Sequence, residues 1–273
     1  GFIEINSSNI LLPEARYELV KTMRASILVM GPLVARYGKA KISQPGGCDI
    51  GTRPIDFHLS GLEKMGAEIT SDSKYIYLKA KKLNPIDFCF PKVSVTGTEN
   101  LMMAATLIDG TTTLKNCAKE PEVLELANYL NSCGAKISGA GESEIEIKGV
   151  KKLEASRWDV LFDRIEAGTY LVAGAITNGH VKVNKINPNT ISIISKKLID
   201  MGVKVNKGSD YVEVDATSSD LKAQDIYTEP FPGFPTDMQA QFMTLNTIAS
   251  GSSTIEETVF ENRFQHVSQL RKM

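Results

Sequence analysis

The octapeptide "LEKMGAEI" at residues 62–69 returns as "LNSCGAKI" at 130–137 and as "LIDMGVKV" at 198–205, setting Gly66, Gly134 and Gly202 68 positions apart. Self-similarity at a fixed period marks a chain built from copies of one supersecondary repeat. In each copy, apolar residues at helical spacing run into a glycine, the residue best suited to the left-handed turn that ends a helix, and a short β-type run follows. A second echo lies upstream, again an apolar helix, a glycine and a strand: "SILVMGPLVARYGKAKIS" (26–43), "NLMMAATLIDGTTTLKN" (100–116), "TYLVAGAITNGHVKVNK" (169–185) and "QFMTLNTIASGSSTIEE" (241–257). Downstream come "KYIYLKA", "SEIEIKG" and "DYVEVDA", whose alternation fits half-buried strands. A repeat of about 70 residues therefore reads helix, strand, helix, strand, strand.

The copies also bear on where domains divide. The spacing shortens from 72 to 69 between Gly110 and Gly179, around "KKLEASRWDVLFDR" (151–164), which places a boundary there and predicts domains 1–158 and 159–273. With 273 residues, two domains are the natural expectation. "GFIEIN" reads as the closing strand of a preceding copy, and "LRKM" stops where other copies continue into glycine, so the chain is expected to be part of a longer one.

Charge and cysteine usage narrow the chemistry. Lys and Arg number 31 against 32 Asp and Glu, so no global charge announces a nucleic acid or an acidic lipid surface, and any anion site must be local. Cys48, Cys89, Cys117 and Cys133 form no C-x-x-C pair and no zinc-type spacing with the three histidines, which argues against both a disulfide framework and a metal site. Reduced thiols, no apolar run near ~18 residues and no signal-peptide pattern predict a cytoplasmic protein without a membrane span.

Candidate sites cluster at the starts of the repeat helices: "KTMRAS", "VTGTEN", "LFDRIE" and "FPTDMQ". Their plain reading is capping, with Thr96 and Glu99 or Asp163 and Glu166 as capping boxes and Thr236 or Asp237 as an N-cap. Equivalent helices in stacked copies run parallel, however, and several positive N-terminal ends on one side would attract phosphates. Arg24 and Arg164 hold nearly matching positions in their copies, and Arg53, Lys92 and Arg263 add cations; the planar guanidinium fork suits phosphate and carboxylate.

One loop stands apart. "KISQPGGCDIGTRPIDFHLSG" (41–61) places Cys48 behind Pro-Gly-Gly, a turn-prone run that exposes the thiol. Arg53 would favour the thiolate and Asp49 would oppose it. His58 reads as a structural or loop histidine rather than a base for Cys48, which leaves a Cys-His hydrolase as a competing reading. "EPE" at 120–122 reads as a first helical turn, and Trp158 and "NLMMAAT" as packing.

Taken together, "TMRASILVMGPLVARYG", "QPGGCDIGTRPIDFHLSGLEKMGAEI", "VSVTGTENLMMAAT", "FDRIEAGT", "FPTDMQAQF" and "ETVFENRFQHV" resemble the enolpyruvyl transferase family, in its branch that uses UDP-N-acetylglucosamine. The repeat alone would equally allow the shikimate-pathway branch or an RNA terminal-phosphate cyclase. The resemblance implies an α/β (α+β) fold, an inside-out α/β barrel of βαβαββ repeats in two similar domains with the active site in the cleft between them. It implies transfer of the enolpyruvyl group of phosphoenolpyruvate to the 3'-hydroxyl of UDP-N-acetylglucosamine with release of phosphate, through a tetrahedral intermediate, with no metal and no cofactor. By the same likeness Cys48 donates a proton to the methylene carbon and is the thiol alkylated by fosfomycin, and Asp237 takes the proton of the sugar hydroxyl. Arg24 and Arg53 match arginines beside phosphate-bearing ligands. Arg53, Pro54, Ile55, Asp56 and Phe57, with Lys92, Val93, Ser94 and Val95, match segments that hold the nucleotide, and Val259 matches a sugar-side contact. Glu120, Asp163, Arg164 and Arg263 match supporting residues. The family's Lys-Asn motif and its late phosphoenolpyruvate-binding arginine are expected before Gly1 and after Met273, so a chain that binds the UDP-sugar without turnover is the alternative.

Overall fold

The computed structural model describes residues 1–10, 12–20, 23–44 and 55–273. The chain divides into two compact units, one holding the described residues up to 119 together with Val123–Trp158, the other holding Glu120–Glu122 and Asp159–Met273.

The first unit contains two copies of the repeat. In the first copy, β1 (Glu14–Ala15), α1 (Tyr17–Val20), α2 (Met30–Tyr37), β2 (Lys39–Ser43), α3 (Asp56–Lys64), β3 (Glu68–Ser71) and β4 (Tyr75–Lys79) follow in order. The second copy runs β5 (Asp87–Cys89), α4 (Val95–Ala105), β6 (Thr111–Lys115), α5 (Pro121–Ser132), β7 (Lys136–Ser138) and β8 (Glu144–Lys148). Each forms a four-stranded open sheet of one topology, β1-β2-β4-β3 and β5-β6-β8-β7, whose leading pair is parallel and whose other pairs are antiparallel. The leading strands β1 and β5 are additions to the repeat as read from periodicity; two or three residues are too few to display alternation. The second copy's full order is β-α-β-α-β-β, and the first differs by the short α1 ahead of α2.

Alternation does fix the longer strands. In β8 Ile145 and Ile147 are fully buried while Glu144, Glu146 and Lys148 face out, and burial of each isoleucine contributes roughly 1.5–3 kcal/mol. Gly66, Gly134 and Gly202 all take φ between +95° and +103°, the conformation that requires glycine, and each ends its helix as the sequence predicted. "GFIEIN" differs from expectation. Residues 1–7 form no strand, and Phe2, Ile3 and Ile5 are exposed, because alternation specifies a strand only where a neighbouring strand and a core receive it.

In the second unit α6 (Arg164–Ile176), β9 (His180–Asn184), α7 (Ser192–Asp200), β10 (Lys204–Lys207) and β11 (Tyr211–Asp215) give a three-stranded antiparallel sheet ordered β10-β11-β9. A further copy follows with β12 (Ile226–Tyr227), α8 (Gln239–Asn246) and β13 (Ile255–Glu256), the two strands parallel, and then α9 (Val267–Leu270). Each unit has its own apolar core, the first around Met30, Ile42, Leu62, Leu101 and Ile147, the second around Leu171, Ile194, Val212, Met238 and Phe242. Among the described residues no sheet closes into a barrel, and no helix is long and apolar enough to cross a membrane.

Candidate functional site

In the second unit the 3-10 turn Thr236–Met238 leads into α8 and carries Asp237. Its position is set by close packing on α6: a Cβ on Gly168 would stand 3.0 Å from the Met238 side chain, so glycine lets the helix approach the turn. Gln241 Nε2 also donates to Thr169 Oγ1 at 3.0 Å. Neither Thr236 nor Asp237 caps a helix, contrary to the capping expectation; the turn begins at Pro235 with no side-chain cap. Their side chains are spent elsewhere. Arg263 Nη2 donates to Asp237 Oδ1 at 2.6 Å and Nη1 to Thr236 Oγ1 at 3.1 Å, while the Asp237 side chain stays 54% exposed. A guanidinium that addresses two acceptors has its plane fixed, which makes this a defined geometry rather than a loose surface pair.

Behind the pair lies Glu257, which sequence reading missed. Its Oε2 accepts from Thr236 Oγ1 at 2.8 Å, and its Oε1 accepts from Thr228 Oγ1 at 2.9 Å and from the backbone N–H groups of Val259 at 2.9 Å and Phe260 at 3.1 Å. The last two bonds are those of an N-cap made outside a helix, and an acidic residue two positions before Val259 is the signal that could have flagged it. Asp237, Val259 and Arg263 thus meet in one network. Burial, and then Arg263, hold the pKa of nearby His266 below its ordinary value.

Asp163 caps α6, accepting from Ile165 N at 2.8 Å and Glu166 N at 3.1 Å, so the capping box expected there has its acceptor in place. Arg164, the first residue of that helix, donates from Nε to Glu122 Oε1 at 2.9 Å, and Glu120 Oε1 accepts from Phe231 N at 3.4 Å. Arg164 is thereby engaged by a carboxylate.

The first unit gathers the remaining described candidates around a buried imidazole. His58, on α3, is 3% exposed; its Nδ1 accepts from Asn100 Nδ2 at 2.8 Å, and its Nε2 lies 3.3 Å from Thr96 Oγ1. Asn100, on α4, also accepts from Gly31 N at 2.7 Å and donates to Ile27 O at 3.4 Å. One amide therefore ties α4 to α3, to α2 and to the 3-10 turn Arg24–Val29. Ile55, Asp56 and Phe57 open α3, Arg24 opens that turn, and Lys92, Val93, Ser94 and Val95 lead into α4, so the network anchors all three segments. Burial, and then the Arg24 charge, lower the pKa of His58 to about 4, which leaves it neutral near pH 7. With both ring nitrogens engaged, His58 serves packing and is not poised as a base. Ser94 caps α4, its Oγ accepting from Gly97 N at 3.1 Å, where Thr96 had been expected. Cys48, Arg53 and Pro54 lie outside the described residues. Among the described residues no cluster of three His, Cys, Asp or Glu side chains could hold a metal.

Comparison with known proteins joins this geometry to a family. The family model of EPSP synthase (3-phosphoshikimate 1-carboxyvinyltransferase) matches residues 3–273. The chain belongs to the EPSP synthase family. Among solved structures it is similar to the enolpyruvyl transferase NikO from Streptomyces tendae, with a TM-score of 0.79 at 21% identity over 95% of this chain and 62% of that one. Two structures of EPSP synthase from Acinetobacter baumannii match with TM-scores of 0.60 and 0.62 at 17% and 18% identity, over 90% and 91% of this chain and 58% and 59% of theirs. At such identities the likeness is one of fold, the mixed α/β fold of the EPSP synthase family, and the chain spans about three fifths of the length of these relatives.

Proposed function

We propose that this chain is part of an enolpyruvyl transferase that moves the enolpyruvyl group of phosphoenolpyruvate to the 3'-hydroxyl of UDP-N-acetylglucosamine, the first committed step of peptidoglycan synthesis. The observation that carries the reading is Asp237: one carboxylate oxygen is bound by Arg263 while the side chain remains more than half exposed, and a general base needs such a fixed but accessible carboxylate. The choice of acceptor rests on the "QPGGCDIGTRPIDFHLSG" and "FPTDMQ" motifs. In the proposed sequence, Asp237 takes the sugar hydroxyl proton as its oxygen bonds to C2 of phosphoenolpyruvate, and Cys48 gives a proton to C3. Loss of a C3 proton from the tetrahedral adduct then breaks the C2–O bond to phosphate and restores the double bond. Arg24, Arg53 and Lys92 supply cations for the phosphates, and Ile55, Asp56, Phe57, Val93, Ser94 and Val95 line the nucleotide. The two units would each contribute to an inside-out barrel domain, and fosfomycin would alkylate Cys48.

The test is phosphate release from phosphoenolpyruvate with UDP-N-acetylglucosamine or shikimate 3-phosphate as acceptor, with Asp237→Asn and Cys48→Ala alongside. Release with the UDP-sugar alone, lost in both variants, is the expected result. Release with shikimate 3-phosphate alone would reject the acceptor, and release undiminished in Asp237→Asn would reject the role of that carboxylate.

A further inference from the structure

The Asp237–Arg263 pair does not stand by itself. Arg263 Nη1 needs an acceptor, and Thr236 Oγ1 can offer its lone pair only if its own proton points away. It points to Glu257 Oε2, 2.8 Å off. Glu257 in turn is held by four donors on three segments: the Thr228 hydroxyl just after β12, the Val259 and Phe260 N–H groups beyond β13, and Thr236 in the turn before α8. Thr228 is fully buried, and its Oγ1, having donated to Glu257, accepts from Thr258 N at 3.0 Å, so its hydroxyl direction is fixed as well. The Arg263 backbone is tied to α8 by Gln239, fully buried, whose Nε2 donates to Arg263 O at 3.2 Å.

We infer that Glu257 is the positioning residue of this site, setting the place of the Asp237 carboxylate through a directed chain of hydrogen bonds from Glu257 to Thr236 to Arg263. The inference rests on the reading of Asp237 as the group that meets substrate. Glu257 itself does not reach substrate: both its oxygens are already engaged by protein donors. What matters is that it is purely an acceptor. A glutamine of the same shape would offer N–H on one side, so that either Thr236 loses its acceptor and turns its proton toward Arg263, or the two backbone N–H groups lose theirs. In the first case the guanidinium fork loses the acceptor that Thr236 offers; in the second the Val259–Phe260 segment that leads to Arg263 loses its anchor, and either way the carboxylate held by Arg263 is released from its place. Displacement of a reacting group by about 1 Å lowers turnover on the order of 100-fold.

The experiment compares Glu257→Gln, Thr236→Val, Thr236→Ser and Asp237→Asn by two readouts. The first is turnover: Glu257→Gln and Thr236→Val should each lower kcat about 10- to 100-fold with little change in either KM, the double variant should lose no more than the worse single one, and Thr236→Ser should recover rate relative to Thr236→Val. The second needs no activity. In the NMR spectrum the Arg263 guanidinium should show separate Nη1 and Nη2 resonances from slowed rotation, and these should merge in Glu257→Gln and Thr236→Val but stay separate in Thr236→Ser. Separate resonances that persist in Glu257→Gln overturn the inference, whatever the rates. If Asp237→Asn keeps full turnover the functional reading of that carboxylate fails, whereas loss in Asp237→Asn with none in Glu257→Gln removes only the role assigned to Glu257.

Discussion

Acidification should destabilise this protein through one imidazole, and the size of the effect follows from its surroundings. His58 is buried against Asn100 and Thr96, and its pKa falls from an ordinary 6.5 to about 4, burial being the larger cause and the Arg24 charge the smaller. In the unfolded chain the same ring protonates near 6.5, so between the two values the unfolded state binds more protons and stability rises with pH. The contribution is therefore complete above about pH 6.5 and is lost as pH falls toward 4. The whole window corresponds to roughly 3 kcal/mol, and about 2 kcal/mol of it is gone by pH 5. Urea unfolding of the wild type and of His58→Asn at pH 8 and pH 5 isolates the term, because carboxylates common to both proteins cancel in the difference. Asparagine keeps an acceptor near the position of Nδ1 but carries no titratable proton. The wild type should lose about 2 kcal/mol more than the variant on going to pH 5; equal losses would show that the buried imidazole is not held neutral, and the account of its hydrogen bonds would fall with it.

Other consequences are tested separately. Gly31→Ala should cost about 1–3 kcal/mol in urea unfolding, because a Cβ there would stand 2.4 Å from Asn100 Oδ1 and 2.5 Å from its backbone oxygen, and α2 would be pushed off α4. Asp163→Ala should cost ~1 kcal/mol by removing the cap of α6, with Asp163→Asn close to wild type. Burial pushes the Cys117 thiol up to about 12, so iodoacetamide at pH 8 should label exposed Cys89 in the native protein and leave Cys117 untouched until denaturant is added, as read by peptide mass spectrometry; native labelling of Cys117 would contradict its burial.

The elements legible in the sequence are those whose physics is local. Gly66, Gly134 and Gly202 announce themselves because a left-handed residue after an apolar helix admits little else, and "SEIEIKG" reads as a strand because its two faces meet different surroundings. Where tertiary context decides, the reading slips. Ser94 and Thr96 are both good caps, and only the entry of the chain into α4 selects Ser94. Strands β5 and β12 are too short to carry a pattern. "GFIEIN" has the pattern and forms no strand. Asp237, Val259 and Arg263 were visible as motif positions, but Glu257 was not, since Thr228 and Thr236 lie 29 and 21 residues before it and no short spacing encodes that meeting.

Every strand pairing among the described residues joins members of one repeat. The sheet of the first copy is thus complete within residues 14–79 and that of the second within 87–148, so a growing chain can finish one sheet while the next is still being synthesised, with little long-range search. Cohesion between neighbouring copies in the first unit then falls to helices, α4 against α2 and α3, with Asn100 as the rivet. Under load such a unit should come apart at that helix seam first, each copy shedding its neighbour before its own sheet unzips.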